Sequence, residues 1–450
     1  MKFEDYRKTR SVNCFSKVDT LGSFDFYNYI ISLDAVTPRD VLEASKCGGT
    51  LAQGSPLSVD QFHVLDKVYS LAIHEYTHFV DASSTLWGLR YLKLLDLGYQ
   101  AYGNPDGVIR FPAAKALHDF GRSIAWPPYY TEKYGQGDPG NRPWRAQITG
   151  GRVFDTEGRP TERPIIFTQF SDKDGRRIVR SPISTVSILE ASAMAQEFNF
   201  RMSGLAMLGD FERIIEMQDT NKKIFDYIYH PDLTEYSVCA HLFANHQQCQ
   251  DVSIAYSCIG MLTRRVLNFP RVATPVVDAH IGAVLNEING WSPASEPTEL
   301  VRAAIARHDV GGLFYLLVLC LPPNSYSSQA ALLMGIEAAL ARLGLDANEV
   351  KDWADEEAAQ AAEDLEASPI QQTKELSAAG LLNYRAIPWD QAGLRMDALH
   401  LPQVALGDNV TLTHIFHNPQ NVLHQYNVAT SYEELYPRES WVHRFAQACF

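Results

Sequence analysis

His74-Glu75-Tyr76-Thr77-His78 carries more chemical information than any other stretch of the chain. It has the form HExxH. On a helix, residues i and i+4 lie on one face, one turn apart. Both imidazoles can then reach one metal ion, and the Glu75 carboxylate stands where it can take a proton from a water activated by that metal. The flanking sequence supplies the helix. Ser58-Val59-Asp60-Gln61 reads as a capping box with Ser58 as N-cap. Val64, Leu65, Val68, Leu71, Ala72, Phe79 and Val80 recur at helical spacing, and no proline falls between Leu57 and Tyr102. The pattern predicts a Zn2+-dependent hydrolase with His74 and His78 as ligands and Glu75 as general base.

Catalytic zinc usually has three protein ligands and one open position. The metzincin arrangement, HExxHxxGxxH, is excluded, because Asp81 stands at the glycine position and Ser84 at the last histidine position. The wider stretch His74 to Leu89 reads HEYTHFVDASSTLWGL. It resembles the active-site helix of the thermolysin-like gluzincins, in which HExxH is followed by a nearby Asp and small residues ending in Gly-Leu. Asp81 and Gly88-Leu89 take similar, though not identically spaced, places. The resemblance implies a zincin fold, peptide hydrolysis and a third ligand from a Glu on a later, Glu-Ala-rich helix. Ile188-Leu189-Glu190-Ala191-Ser192-Ala193-Met194-Ala195-Gln196-Glu197 is the best downstream match. It makes Glu190 the third ligand and Glu197 a supporting or alternative one. Met194 stands where the thermolysin-like pattern has an Asp that holds the first histidine. Another carboxylate has to take that place, and Asp81 and Glu197 are the candidates. A developing oxyanion needs a further donor from a later segment. Tyr236 and His241, in Glu235 to Asp251, are the candidates there. Cys239, His241, His246 and Cys249 in the same segment do not have zinc-finger spacing and read as incidental residues of a helix.

The chain has 450 residues, 46% hydrophobic and 20% charged, which is the composition of a folded protein with a large core. Its 53 acidic against 39 basic residues give a net charge of −14. That argues against partners such as nucleic acid or an anionic membrane surface. Seven scattered cysteines do not form a disulfide framework. The first residues carry no apolar signal core, and the longest apolar run, Leu313 to Leu321, is too short to span a bilayer. These features predict a cytoplasmic protein.

The predicted fold class is α+β: a zincin-like core with a small β-sheet and active-site helices, then a mainly α-helical C-terminal half. Residues 1–206 form the expected core, 207–380 a helical region, and 381–450 a mixed C-terminal segment packing on the core. Phe24 to Val36 reads as a strand. Residues from about 126 to 164 read as a long loop, a candidate lid. Residues from about 164 to 180 read as a β-hairpin turning at Asp172 to Gly175, whose edge is a candidate for taking up an extended peptide. Helices are expected over Asp251–Phe269, Thr298–Arg307, Gln329–Leu343 and Asp346–Leu365. The last is strongly acidic and reads as a solvated face, with a dock for a basic regulatory partner as the minor reading. Four histidines between His414 and His443 have no metal-site spacing, and no role is assigned to them.

The leading functional expectation is a zinc metallopeptidase acting on protein or peptide substrates. The alternatives are a non-catalytic zincin-like scaffold that binds a partner, and a zinc hydrolase acting on a non-peptide bond. The intact Glu75 argues against the scaffold.

Overall fold

The computed structural model describes residues 2–6, 21–52, 54–103, 109–124, 126–135, 142–155, 157–408 and 411–449. The fold is mixed α+β, with two small sheets and a mostly helical C-terminal half. The motif helix, Leu71–Ser83, runs through its centre, and every residue from Ala72 to Ser83 is buried. Its start lies further back. Ser58 caps the helix Val59–Leu65 in a complete capping box with Gln61, as the sequence predicts. A π-helical stretch, Asp66–Ser70, joins that helix to the motif helix. Such a stretch opens the backbone ladder by one residue and turns the following face, often beside a functional site.

The first sheet has the order β1 (Ser23–Asp25), β2 (Ile30–Leu33), β7 (Val404–Leu406), β8 (Leu412–Thr413). The single strand expected over Phe24 to Val36 is therefore a tight hairpin. The Asp25 carboxylate accepts the Tyr27 and Asn28 backbone N–H groups and forces the turn. β2 pairs with β7 in parallel, Ile31 opposite Val404, so the C-terminal segment completes the N-terminal sheet. Tyr29 and Tyr76 lock this sheet region to the motif helix: the Tyr29 hydroxyl donates to the Ala82 carbonyl and the Tyr76 hydroxyl to the Pro402 carbonyl.

The second sheet is antiparallel, in the order β3 (Glu132–Lys133), β6 (Arg177–Pro182), β5 (Pro160–Ser171), β4 (Arg145–Phe154). The expected hairpin is present as β5 and β6, and its turn is held by the Asp172 carboxylate, which accepts from the Asp174 and Arg176 N–H groups. The expected loop is corrected in part: Arg145–Phe154 is a strand paired along β5. Gly150-Gly151 in its middle obscured it. Both glycines are needed for close approach, since a Cβ would stand 2.2 Å from Leu300 at the first and 2.7 Å from Phe167 at the second. Among the described residues β5 is paired on both sides, and β3 covers the outer side of β6 at Val179 and Arg180, so little of the hairpin's edge is left for a peptide.

The predicted C-terminal helices are observed as Val252–Leu267, Glu296–Ala306, Gln329–Arg342 and Ala347–Glu366. The acidic helix, Ala347–Glu366, is only partly a solvated face. Its alanines at 354, 358 and 361 pack against Leu86 and Leu89, while Glu357 pairs with Arg90 at 2.7 Å and Asp364 pairs with Lys93. Among the described residues no helix is long and apolar enough to cross a membrane.

After the motif helix the chain turns sharply into the helix Leu86–Tyr99. Thr85 caps that helix through the Gly88 N–H and donates its hydroxyl back to the Asp81 carbonyl. A Cβ at Gly88 would stand 2.4 Å from Asp81 O and from the Ala82 carbonyl carbon. Gly88→Ala is expected to destabilise the fold by on the order of 1–3 kcal/mol, read as a lower denaturant midpoint with an unchanged slope.

Candidate metal centre

Buried polar groups on a central helix need a reason, because their desolvation is costly unless they are paired. Thr77 and Ser83 return their hydroxyls to the carbonyls four residues back, Ile73 and Phe79. His74, Glu75 and His78 do not. The two histidines point to the helix Thr185–Ala206, which opens with its own capping pair, Ser184 and Ser187. The small residues Ala191, Ser192, Ala193 and Ala195 of this helix are buried and let the two helices pack closely.

Across that contact His74 Nε2 lies 3.3 Å and His78 Nε2 3.4 Å from the same oxygen, Glu190 Oε2. The three ligand atoms all lie within 4.8 Å of one another, and all three residues are buried. Bonds of 2.0–2.1 Å at tetrahedral angles put ligand atoms about 3.3–3.4 Å apart. The two separations from Glu190 Oε2 have this length. The sequence-predicted set His74, His78 and Glu190 is thus brought together, and the residues fit a single divalent ion.

The electrostatics point the same way. Burial penalises the charge of Glu190, yet His78 and His74 outweigh it and hold its carboxyl down to about 2. Burial also opposes a charge on His74, but Glu190 and Glu197 overcome this and push its pKa well above the ordinary imidazole value. Glu197 and Asp66 share one guanidinium, Arg201, which lies 3.1 Å from Glu197 and 2.9 Å from Asp66, while Glu190 faces only the two imidazoles. A pocket with this surplus of negative charge favours a cation.

Of the two candidate carboxylates for the role of the missing Asp at Met194, Glu197 is the one in place. Its Oε2 lies 3.2 Å from His74 Nδ1, so Nε2 is the nitrogen turned toward Glu190. Asp81 lies further along the motif helix. Burial raises its carboxyl to about 7, opposed by Ser192 and Arg264. The chain His74–Glu197–Arg201–Asp66–Ser70 ties the first histidine to the π-helical stretch. Arg201 was not singled out by sequence, although its place four residues after Glu197 on a helix was the available signal. Glu75 is 1% exposed, and a Cβ at Gly22 would stand 3.1 Å from its Oε1. The main chain leading into β1 therefore passes beside the expected base.

Tyr236 and His241 lie on one helix, Thr234–Gln247, but five residues apart they diverge by about 140°. Tyr236 packs on Tyr227, ring centres 5.6 Å apart. Burial first, then Tyr236, Glu190 and Glu197, hold the Tyr227 phenol far above its usual value. Tyr227 is thus near the triad and stays protonated; no local pattern in the sequence marks it. The structure does not bring His241 to the triad. Its Nε2 is 2.8 Å from the Ile228 carbonyl and its ring stacks on Trp144. Cys239 and His246 likewise turn to backbone carbonyls, Ser187 and Leu321.

Burial lowers the His241 pKa from 6.5 to about 4, against the Ile228 hydrogen bond. The unfolded chain then takes up this proton at a higher pH than the folded one. Stability from this group is complete above about pH 6.5 and is lost as pH falls toward 4, by about 3 kcal/mol. His241→Phe is expected to remove that component from the pH dependence of chemical denaturation.

No family model, curated protein or solved structure matches the chain.

Proposed function

We propose that the chain is a zinc metallopeptidase of gluzincin-like type, with a zincin-like core. The observation that carries this reading is the convergence of His74, His78 and Glu190 on one buried point, with Glu75 next to the first ligand in sequence. Zn2+ held by these three residues would supply a polarising charge for a carbonyl oxygen and would lower the pKa of water to about 7. Glu75 is the base: its carboxylate takes the proton of the attacking water and passes it to the leaving amine. Glu197 fixes the tautomer of His74 by accepting from its Nδ1–H. Tyr227 and Tyr236 are the hydroxyls offered as donors to the developing oxyanion, Tyr227 being protonated throughout the neutral range. β1, at the end of its sheet and entered beside Glu75, is the strand against which an extended peptide would align.

The test is cleavage of a proteome-derived peptide library by the zinc-loaded full chain, read by mass spectrometry of new termini. New termini that appear with the wild type and not with Glu75→Gln are the expected result. Zinc bound without any cleavage would reject the peptidase reading in favour of a non-peptide substrate or a partner-binding scaffold.

A further inference from the structure

The C-terminal histidines have no metal-site spacing in sequence, yet the fold gathers three of them. His414 follows β8, His417 lies three residues on, and His424 sits in the 3-10 turn Val422–Gln425. The rings of His414 and His424 are 5.5 Å apart between centres and cross at 76°. Those of His417 and His424 are 6.4 Å apart. For comparison, His74 and His78, whose Nε2 atoms meet at one carboxylate oxygen, have ring centres 5.0 Å apart at 80°. The His414–His424 rings have a similar spacing and crossing angle, but the three histidines do not bring one nitrogen each within 4.8 Å of the others, as the motif triad does with its ligand atoms.

The ring nitrogens of this group are available. His414 Nδ1 is buried and has no hydrogen-bond partner among the described residues. His417 and His424 are exposed, so rotation about their side-chain bonds is open and can turn their nitrogens toward His414 when an ion binds. The nearby His400 is engaged elsewhere, its Nδ1 accepting the Val422 N–H at 3.0 Å.

We propose that His414, His417 and His424 form a second metal site, separate from the motif triad, for an imidazole-preferring divalent ion of the Zn2+, Ni2+ or Cu2+ kind. Three histidines supply three ligands and leave a fourth position to solvent. The site has a structural consequence. Phe416, between the first two histidines, packs on Tyr76 of the motif helix and on Tyr69 of the π-helical stretch, with ring centres 5.6 Å apart in both cases. A cation that joins His414 and His417 to His424 closes the chain around Phe416 and fixes it against the motif helix.

The probe is Zn2+ itself, measured by equilibrium dialysis and elemental analysis on the full chain after chelation. Wild type is expected to bind two equivalents. His424→Ala and His417→Ala, both at exposed positions, should each keep one equivalent and weaken the other by more than the ~100-fold typical of losing a supporting contact. His78→Ala should keep the C-terminal equivalent and lose the motif one. A wild type that binds a single equivalent, abolished by His78→Ala, overturns the proposal, as do His417→Ala and His424→Ala variants that bind like wild type. A single equivalent abolished by His424→Ala and untouched by His78→Ala supports this site and rejects the motif triad instead. A wild type that binds none rejects both.

Discussion

Glu75→Gln is expected to leave zinc content and folding intact while lowering kcat/KM by roughly 10²–10⁴-fold, the range typical of a positioned general base. The substitution is nearly isosteric, which matters because Glu75 is 1% exposed and the chain at Gly22 passes close to its side chain. It exchanges a buried carboxylate for a neutral amide, so it places no new charge in the core and should not lower stability. A helix with a merely structural Glu75 would behave differently: the amide would be tolerated with no loss of turnover. The measurement is cleavage of a library-derived peptide at several concentrations, alongside metal analysis of the same sample. The loss should fall on kcat, because the proton transfer belongs to the transition state. Unchanged turnover would remove Glu75 as the base.

Glu190→Ala is expected to abolish stoichiometric binding at the motif, with affinity falling well beyond ~100-fold, whereas Glu197→Ala should cost only about 10–100-fold. The difference follows from what each carboxylate touches. Glu190 Oε2 faces both Nε2 atoms, at 3.3 and 3.4 Å, and Glu197 meets only the far nitrogen of His74. The metal-free Glu190→Ala protein should also be less stable, by roughly 3–5 kcal/mol, since a fully buried partner of two imidazoles has been removed. Competition with a chromophoric chelator gives the affinities, and urea titration of the metal-free proteins gives the stabilities. If the two variants lose affinity equally, Glu190 and Glu197 are exchangeable and the assignment of ligand and support is wrong.

Local patterns exposed the parts of the fold that are local. The capping box at Ser58 and Gln61, the helical run into His74, and the short Glu-Ala-rich stretch holding Glu190 are each set by residues a few positions apart. The Asp172 to Gly175 turn is legible for the same reason. The lack of a carboxylate at Met194 called for a replacement beside His74 and left Asp81 and Glu197 as candidates; the fold places Glu197 there. Features made by distant segments were hidden. β2 meets β7 across most of the chain, and parallel pairing leaves no hairpin signal between them. β4 was obscured by Gly150-Gly151, which weaken strand propensity while allowing Leu300 and Phe167 to approach. The same holds for the site: Tyr227 and the three C-terminal histidines acquire a neighbourhood only when helices and loops pack. His241 shows the converse. Its position in a plausible segment suggested chemistry, but its helical face turns it toward Trp144 and the second sheet.

Whether His74, His78 and Glu190 hold one metal ion can be seen in a crystal. Anomalous diffraction from zinc-loaded crystals, with data collected on both sides of the zinc absorption edge, tests it most directly. The expected result is a peak at about 2.0–2.1 Å from both Nε2 atoms and a Glu190 oxygen, with a fourth position left to solvent. Anomalous density absent from this point, at full zinc loading of the crystal, would contradict it.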